Sequence, residues 1–109
     1  MHRLIRAITI ICALGSATGA HALDDAAAEA LMRKDGCAAC HAIDKKIIGP
    51  PYRDVADKYR GDAGAAARLV DKVRKGGAGV WGQVPMPPNP QTPDADVREL
   101  VGWILALRR

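Results

Sequence analysis

Two cysteines and a histidine stand together in the sequence CAACH, which runs from Cys37 to His41. Thiols three residues apart, followed at once by an imidazole, suit a redox dithiol, half of a zinc site, or covalent attachment of a porphyrin. One helical turn places residues three apart on the same face, with Cβ atoms about 5–6 Å apart. Both thiols can then add to vinyl groups on one porphyrin edge while the next residue brings its imidazole to the iron. The motif therefore favours c-type haem attachment.

Zinc and redox chemistry stay open as alternatives, but the rest of the chain offers them little support. A structural zinc site needs four ligands, and after residue 22 the only cysteines and histidines are Cys37, Cys40 and His41. A thioredoxin-like dithiol follows a strand and begins a helix, whereas this chain reads as nearly all helix. A structural disulfide is also a weak explanation, because a bridge between residues three apart closes a very short loop.

The first 22 residues have the pattern of an export signal. Two arginines precede an apolar run at residues 8–14, and small residues lead to an A-x-A sequence at 20–22. The apolar run is shorter than the about 20 residues that a membrane-spanning helix needs. We therefore expect a signal peptide over residues 1–22 that is removed, export to the periplasm without stable membrane insertion, and one domain over residues 23–109. A retained membrane anchor is the alternative.

The charge balance argues against a nucleic-acid partner. The sequence has 16 Lys and Arg against 12 Asp and Glu. Removing the two arginines of the signal peptide leaves 14 against 12, a net charge of about +2 and no basic stripe. Bulky apolar material is also scarce, with no Phe, two Trp and two Tyr. A domain this small needs additional stabilisation, which a large apolar cofactor at its centre would supply.

An all-α fold is predicted, with three or four helices and no strand. Helical patterns cover residues 24–34, 52–60 and 63–77, and a last helix follows Thr92, which we expect to cap it. Val97, Leu100, Val101 and Ile104 recur at helical spacing and predict its buried face. Residues 76–93 are too rich in Gly and Pro for a helix. A long irregular segment in a small domain is usually functional or disordered, and its apolar side chains favour a functional loop.

Met86 lies within this loop, in VPMPPN, 45 residues after His41. After signal removal no second histidine is left to occupy the other axial position on a haem iron. An isolated methionine is more often core filler, but here prolines hold the sulfur with little ordering cost. We predict Met86 as the second axial ligand. Histidine–methionine ligation leaves no open site for a substrate and favours the reduced iron, so we expect one-electron transfer and not an enzyme.

The sequence resembles the short bacterial class I cytochromes c, which are monohaem electron carriers of the periplasm. The resemblance covers nearly the whole of residues 23–109, through the stretches GCAACHAID, GPPYRDVADKY, GVWGQVPMPPN and LVGWILAL. It implies a fold of three to four helices wrapped around one covalently attached haem c. It also implies that Cys37 and Cys40 form the thioethers and that His41 and Met86 are the axial iron ligands.

The same resemblance implies four further contacts. Pro50 would offer its carbonyl to the ring N–H of the proximal histidine, and Asn89 would donate a hydrogen bond near the methionine sulfur. Trp81 and Lys72 would contact the haem propionates. Because relatives often have arginine at the position of Lys72, we expect a weaker and less directional contact there.

The function expected from the ligand set and the resemblance is that of a monomeric shuttle for single electrons. Its donor would be a complex of the cytochrome bc1 type or a dehydrogenase, and its acceptor a nitrite reductase or a terminal oxidase. A dedicated haem subunit of a periplasmic oxidoreductase is one alternative, and a sensor haem in which Met86 yields to a gas is another. The cations expected to surround the haem edge and dock an acidic partner are Lys45, Lys46, Arg53 and Lys58.

Overall fold

The computed structural model describes Gly15 and residues 23–108. The predicted signal peptide, apart from Gly15, and Arg109 lie outside the described residues. The chain forms four α-helices and one 3₁₀ turn, which are α1 (Asp25–Lys34), the turn (Cys37–Ala39), α2 (Tyr52–Lys58), α3 (Ala65–Lys75) and α4 (Asp94–Leu105). In this part of the chain the only β-type pairing is two isolated backbone bridges. The prediction of an all-α fold is confirmed.

Helix α4 is the centre of the packing, because it contacts each of the other three helices. The four residues predicted to form its buried face are all buried, and so is Trp103. This confirms the apolar stripe. One core cluster joins α1, α2 and α4, and a smaller one of Val70, Val97 and Val101 joins α3 to α4. Burial of one face of each helix accounts for this arrangement.

Helix α1 has well-matched ends and buries Met32. The Asp24 side chain accepts a hydrogen bond of 2.7 Å from the Ala27 amide, so it caps the helix. Asp25 in the first turn and two cations in the last turn suit the helix dipole. Met32 lies in the core cluster that contains Leu100 and Ile104. These contacts fix α1 against α4 immediately before the cysteine motif.

Some predicted helix boundaries differ from the structure. Helix α2 ends at Lys58 rather than at residue 60, and α3 covers 65–75 rather than 63–77. The capping role predicted for Thr92 is wrong. Pro93, with an extended ψ of 137°, occupies the N-cap position of α4, and no side chain caps this helix. Proline fits there because its missing amide hydrogen has no helical partner at this end.

No helix in the described part of the chain is long and apolar enough to cross a membrane.

Candidate haem-binding site

A cavity of about 760 Å³ opens between the CAACH turn, helices α2 to α4 and the loop after α3. Its volume is typical of cofactor sites. Much of its wall is apolar, and the buried face of α4 contributes Val97, Leu100, Val101 and Ile104 to it. Seven of the eight residues predicted to form the site line this cavity, namely Cys37, Cys40, His41, Pro50, Lys72, Trp81 and Met86.

The CAACH motif forms a single tight turn. The amides of Cys40 and His41 both donate to the Cys37 carbonyl, at 3.1 and 3.0 Å. Both thiols are half-buried and form no disulfide among the described residues. Burial raises the pKa of the Cys37 thiol, and the negative charge of Asp35 acts in the same direction. Within residues 23–108, no group of three or more His, Cys, Asp or Glu is arranged to hold a metal ion, so the zinc alternative gains no support.

The His41 imidazole has a defined tautomer. Its Nδ1 lies 2.9 Å from the Pro50 carbonyl oxygen. A carbonyl oxygen only accepts hydrogen bonds, so Nδ1 carries the hydrogen and Nε2 is left with its lone pair. A partner of this kind also orients the ring and raises the basicity of the coordinating nitrogen. His41 is therefore prepared to bind a metal through Nε2.

Gly49 packs directly against the His41 ring. A Cβ atom at position 49 would lie 2.5 Å from Cε1 of His41 and 2.9 Å from Nδ1. Real Cβ atoms essentially never come this close to a neighbour, so the absence of a side chain at Gly49 is a condition for the observed ring position.

Met86 is attached to the end of α3 by two backbone hydrogen bonds. Its amide donates to the Gly77 carbonyl at 2.8 Å, and the Gly77 amide donates to the Met86 carbonyl at 3.0 Å. Gly76 has a φ of +68°, and a Cβ there would lie 2.4 Å from the Met86 carbonyl oxygen. Both the left-handed backbone and the close approach require glycine. The sequence pattern identified these glycines only as the end of a helix.

Asn89 does not line the cavity. Its side-chain amide nitrogen donates to the carbonyl oxygens of Val73 and Pro87, both at 3.1 Å, and its backbone amide donates to Val73 and Arg74. It therefore satisfies free carbonyls at the end of α3 and holds the methionine loop there. Its hydrogen bond near the methionine sulfur stays a prediction.

Trp81 and Lys72 lie at the rim of the cavity. Trp81 is 40% exposed, and the Lys58 ammonium lies 5.6 Å from its ring centre. That distance is within the range of a cation–π contact. The Lys72 side chain folds over Gly77, where a Cβ would lie 2.7 Å from Nζ. The sequence pattern did not reveal the contact between Lys58 and Trp81, because it joins α2 to the loop after α3.

The four cations expected around the haem edge differ in their surroundings. Arg53 is ion-paired with Asp44 and also donates to the Arg108 carbonyl. The lysines of the set form no ion pair with any described residue. Lys46 lines the cavity and Lys58 lies against Trp81, whereas Lys45 is not part of the cavity lining. The structure therefore brings two of the four, Lys46 and Lys58, to the cavity rim, where neither forms an ion pair with a described residue.

An all-helical domain in which a CxxCH turn and a methionine loop line one apolar cavity defines the class of small c-type haem proteins. Residues 26–108 match the family described as Cytochrome c, and the chain belongs to this family.

Several characterised proteins are similar over most of the domain. Cytochrome c-551 of Allochromatium vinosum is 60% identical over 77 residues, which are 71% of this chain and 82% of that protein. Cytochrome c-551 of Pseudomonas aeruginosa is 49% identical, over 72% of this chain and 74% of that protein. The crystal structure of Nitrosomonas europaea cytochrome c552 superimposes with a TM-score of 0.71 at 45% identity, covering 73% of this chain and 99% of that one.

Membership of this family fixes the cofactor and the general function. Cytochromes c of this kind bind one haem c covalently per chain and carry electrons, and the same holds for this protein. It is an electron carrier and not an enzyme. The described residues fit such a group, since two free thiols, an imidazole with a free Nε2 and a thioether all line one apolar cavity.

Proposed function

We propose that this chain is a periplasmic shuttle for single electrons whose haem is attached through Cys37 and Cys40 and ligated by His41 and Met86. The observation that carries the proposal is the cavity lining. It brings together two thiols, one imidazole and one thioether, and no carboxylate side chain. A methionine thioether and an imidazole are the axial ligand pair of cytochromes c.

The residues around the proposed site suit electron transfer with little structural change. The haem, when bound, supplies one-electron oxidation and reduction of its iron. Pro50 holds the His41 ring in one tautomer, and the Gly77 backbone holds Met86 in place. The apolar wall disfavours extra positive charge and so supports the reduced state. Rigid positioning on both sides keeps the difference between the oxidised and reduced structures small.

The rim of the cavity is suited to docking a partner. Four large apolar side chains that line it are exposed, namely Ile47 (48%), Ile48 (55%), Val80 (51%) and Val84 (67%). Lys46 and Lys58, which form no ion pair with a described residue, add positive charge beside them. Apolar contact with flanking charges gives a short-lived complex that forms quickly. An acidic rim around the partner's redox centre is the matching surface.

The proposed partners follow from a single exported redox site. The donor is a complex of the cytochrome bc1 type or a dehydrogenase, and the acceptor is a nitrite reductase or a terminal oxidase. The signal peptide over residues 1–22 would deliver residues 23–109 to the periplasm, where the protein diffuses as a monomer.

The ligand assignment is tested by replacing each methionine of the domain in turn. The oxidised protein should show a far-red absorption band from iron–sulfur ligation, and Met86→Ala should abolish it and lower the reduction potential. Met32→Leu is the matched control, because Met32 belongs to the α1–α4 core cluster, and it should keep both. A band that persists in Met86→Ala would overturn the assignment of the sulfur ligand.

The shuttle role is tested on material released from the periplasm. The mass should equal residues 23–109 plus one haem, and the protein should elute as a monomer. Lys46→Gln and Lys58→Gln should slow electron transfer to an acidic partner several-fold at low salt, whereas Arg33→Gln on α1 should have a smaller effect. Elution at fixed stoichiometry with a larger oxidoreductase would instead identify a dedicated haem subunit.

A further inference from the structure

The single hydrogen bond to Pro50 does not by itself set the plane of the His41 ring. The outer torsion of a histidine side chain has a broad energy profile, so the ring can turn while Nδ1 keeps its acceptor. A haem ligand needs a defined ring orientation as well as a defined tautomer. Packing around the ring must supply this orientation. Gly49 does not supply it, because it only leaves space for the ring.

Tyr52 provides such packing. Its ring is stacked on the His41 ring, with the centroids 5.0 Å apart and the planes inclined by 14°. Aromatic pairs at this separation prefer offset stacking and contribute beyond their buried area. A near-parallel neighbour at van der Waals contact resists rotation of the imidazole out of its plane.

Tyr52 is itself held firmly enough to impose an orientation. It is the first residue of α2, is 5% exposed, and donates its backbone amide to the Ala42 carbonyl at 2.9 Å. Its ring makes a T-shaped contact with Trp103, with centroids 6.4 Å apart and planes at 89°. The Trp103 indole in turn donates to Asp25 Oδ1 at 2.9 Å. Tyr52 is thus braced by both α4 and α1.

The hydroxyl of Tyr52 lies at the other end of the CAACH motif. It lies beside the Cys37 side chain. The Tyr52 side chain therefore contacts the turn at both its first cysteine and its histidine, as expected of a residue that stabilises the conformation of the motif.

We propose that Tyr52 is a positioning residue that sets the plane of the His41 imidazole through ring stacking. It acts through His41 and not on the haem iron. The inference rests on the proposed function, because it takes His41 as the proximal ligand. It adds a residue, identified by its contacts, to the set that determines the properties of the redox site.

Three variants separate the ring from its hydroxyl and from general packing. Tyr52→Phe keeps the stacked ring, Tyr52→Leu removes it, and Leu31→Ala removes packing from the same core cluster at a residue that does not line the cavity. Nuclear magnetic resonance of the reduced protein gives the His41 ring-proton shifts, and voltammetry gives the reduction potential. We expect both to change in Tyr52→Leu and to stay near the original values in the other two variants.

The outcomes distinguish this inference from the proposed function. Unchanged ring-proton shifts and potential in a folded Tyr52→Leu protein would overturn the positioning role while leaving His41 as the ligand. If Tyr52→Leu does not mature, the test is cross-relaxation between the Tyr52 and His41 ring protons in the unmodified reduced protein. Stacked rings should show this cross-relaxation, and its absence would overturn the positioning role. An unchanged absorption spectrum and reduction potential in a His41→Ala protein that still carries haem would instead overturn the proposed ligand set.

Discussion

The indole nitrogen of Trp103 donates a hydrogen bond of 2.9 Å to Asp25 Oδ1, which joins the last helix to the first across 78 residues of sequence. Trp103 belongs to the core cluster that also contains Tyr52. The contact therefore links α1 to α4 beside the core cluster on which Cys37 and Ala38 of the cysteine motif pack. It ties the stability of the domain to the packing beside His41.

Asp25→Ala should lower the free energy of unfolding by about 1–3 kcal/mol, because it leaves the part-buried indole N–H without its charged acceptor. Urea denaturation at neutral pH measures the change. Glu29→Ala is the control on the same helix, since its ion pair with Arg33 is exposed and 4.0 Å long, and its effect should stay within about 0.5 kcal/mol. Equal losses in the two variants would show that the indole bond contributes nothing.

Gly49→Ala should displace the His41 ring, because the new Cβ would lie 2.5 Å from Cε1. Overpacking of this kind costs about 1–3 kcal/mol, and the His41 ring-proton shifts and the reduction potential should change with it. Gly102→Ala is the matched control. Its Cβ meets nothing within 4 Å inside α4, so the helix should gain about 0.5–1 kcal/mol. A Gly49→Ala protein with unaltered shifts would contradict the tight contact.

Gly76→Ala and Gly61→Ala separate backbone strain from steric conflict at the methionine loop. Both glycines have positive φ, so each substitution should cost about 1–2 kcal/mol. Only at Gly76 does the new Cβ also collide with the Met86 carbonyl oxygen, at 2.4 Å. We expect the iron–sulfur band to weaken in Gly76→Ala and to persist in Gly61→Ala. Loss of the band in both would point to general destabilisation.

Asp35→Asn should stabilise the protein at neutral pH. Asp35 follows the last turn of α1, where the helix dipole disfavours a negative charge, and its Oδ2 is buried with no hydrogen-bond partner among the described residues. Burial, followed by the negative charge of Asp96, raises the pKa of Asp35, and Lys34 opposes this only in part. The folded state therefore holds the Asp35 proton more tightly than the unfolded state does.

The sign of the pH effect follows from this raised pKa. The contribution of Asp35 to stability is complete below the ordinary aspartate pKa of about 3.9, and it is lost as the pH rises through the folded-state value. The advantage of Asp35→Asn in urea denaturation should thus be larger at pH 7 than at pH 3.5. Glu99→Gln on the exposed face of α4 should show no such difference. An equal advantage of Asp35→Asn at both pH values would contradict the raised pKa.

The sequence was sufficient to predict features that depend on short-range pattern. The CAACH spacing, the helical repeat that buries Val97 and Leu100, and the Gly- and Pro-rich loop around Met86 all reflect local geometry. Spacing of this kind is preserved whatever the tertiary arrangement, so a single sequence reveals it. The all-α fold and its haem c follow from these features.

Contacts between distant segments were not predictable in the same way. The stacking of Tyr52 on His41 depends on where α2 begins relative to the turn, and the Trp103–Asp25 bond depends on the crossing of α1 and α4. The pair of backbone hydrogen bonds between Gly77 and Met86 is a third example, since paired glycines after a helix indicate only that the helix ends. Pairings across many residues follow from the folded geometry, which no local pattern specifies.

The two backbone bonds between Gly77 and Met86 close residues 78–85 into a separate loop. A surface loop whose two ends are joined by hydrogen bonds tolerates insertions and substitutions between those ends at low energetic cost. Val80 and Val84 lie within that loop, whereas Met86, the proposed sulfur ligand, is held at its base. Under the proposed ligand set, sequence changes in this loop would alter partner recognition without altering the reduction potential.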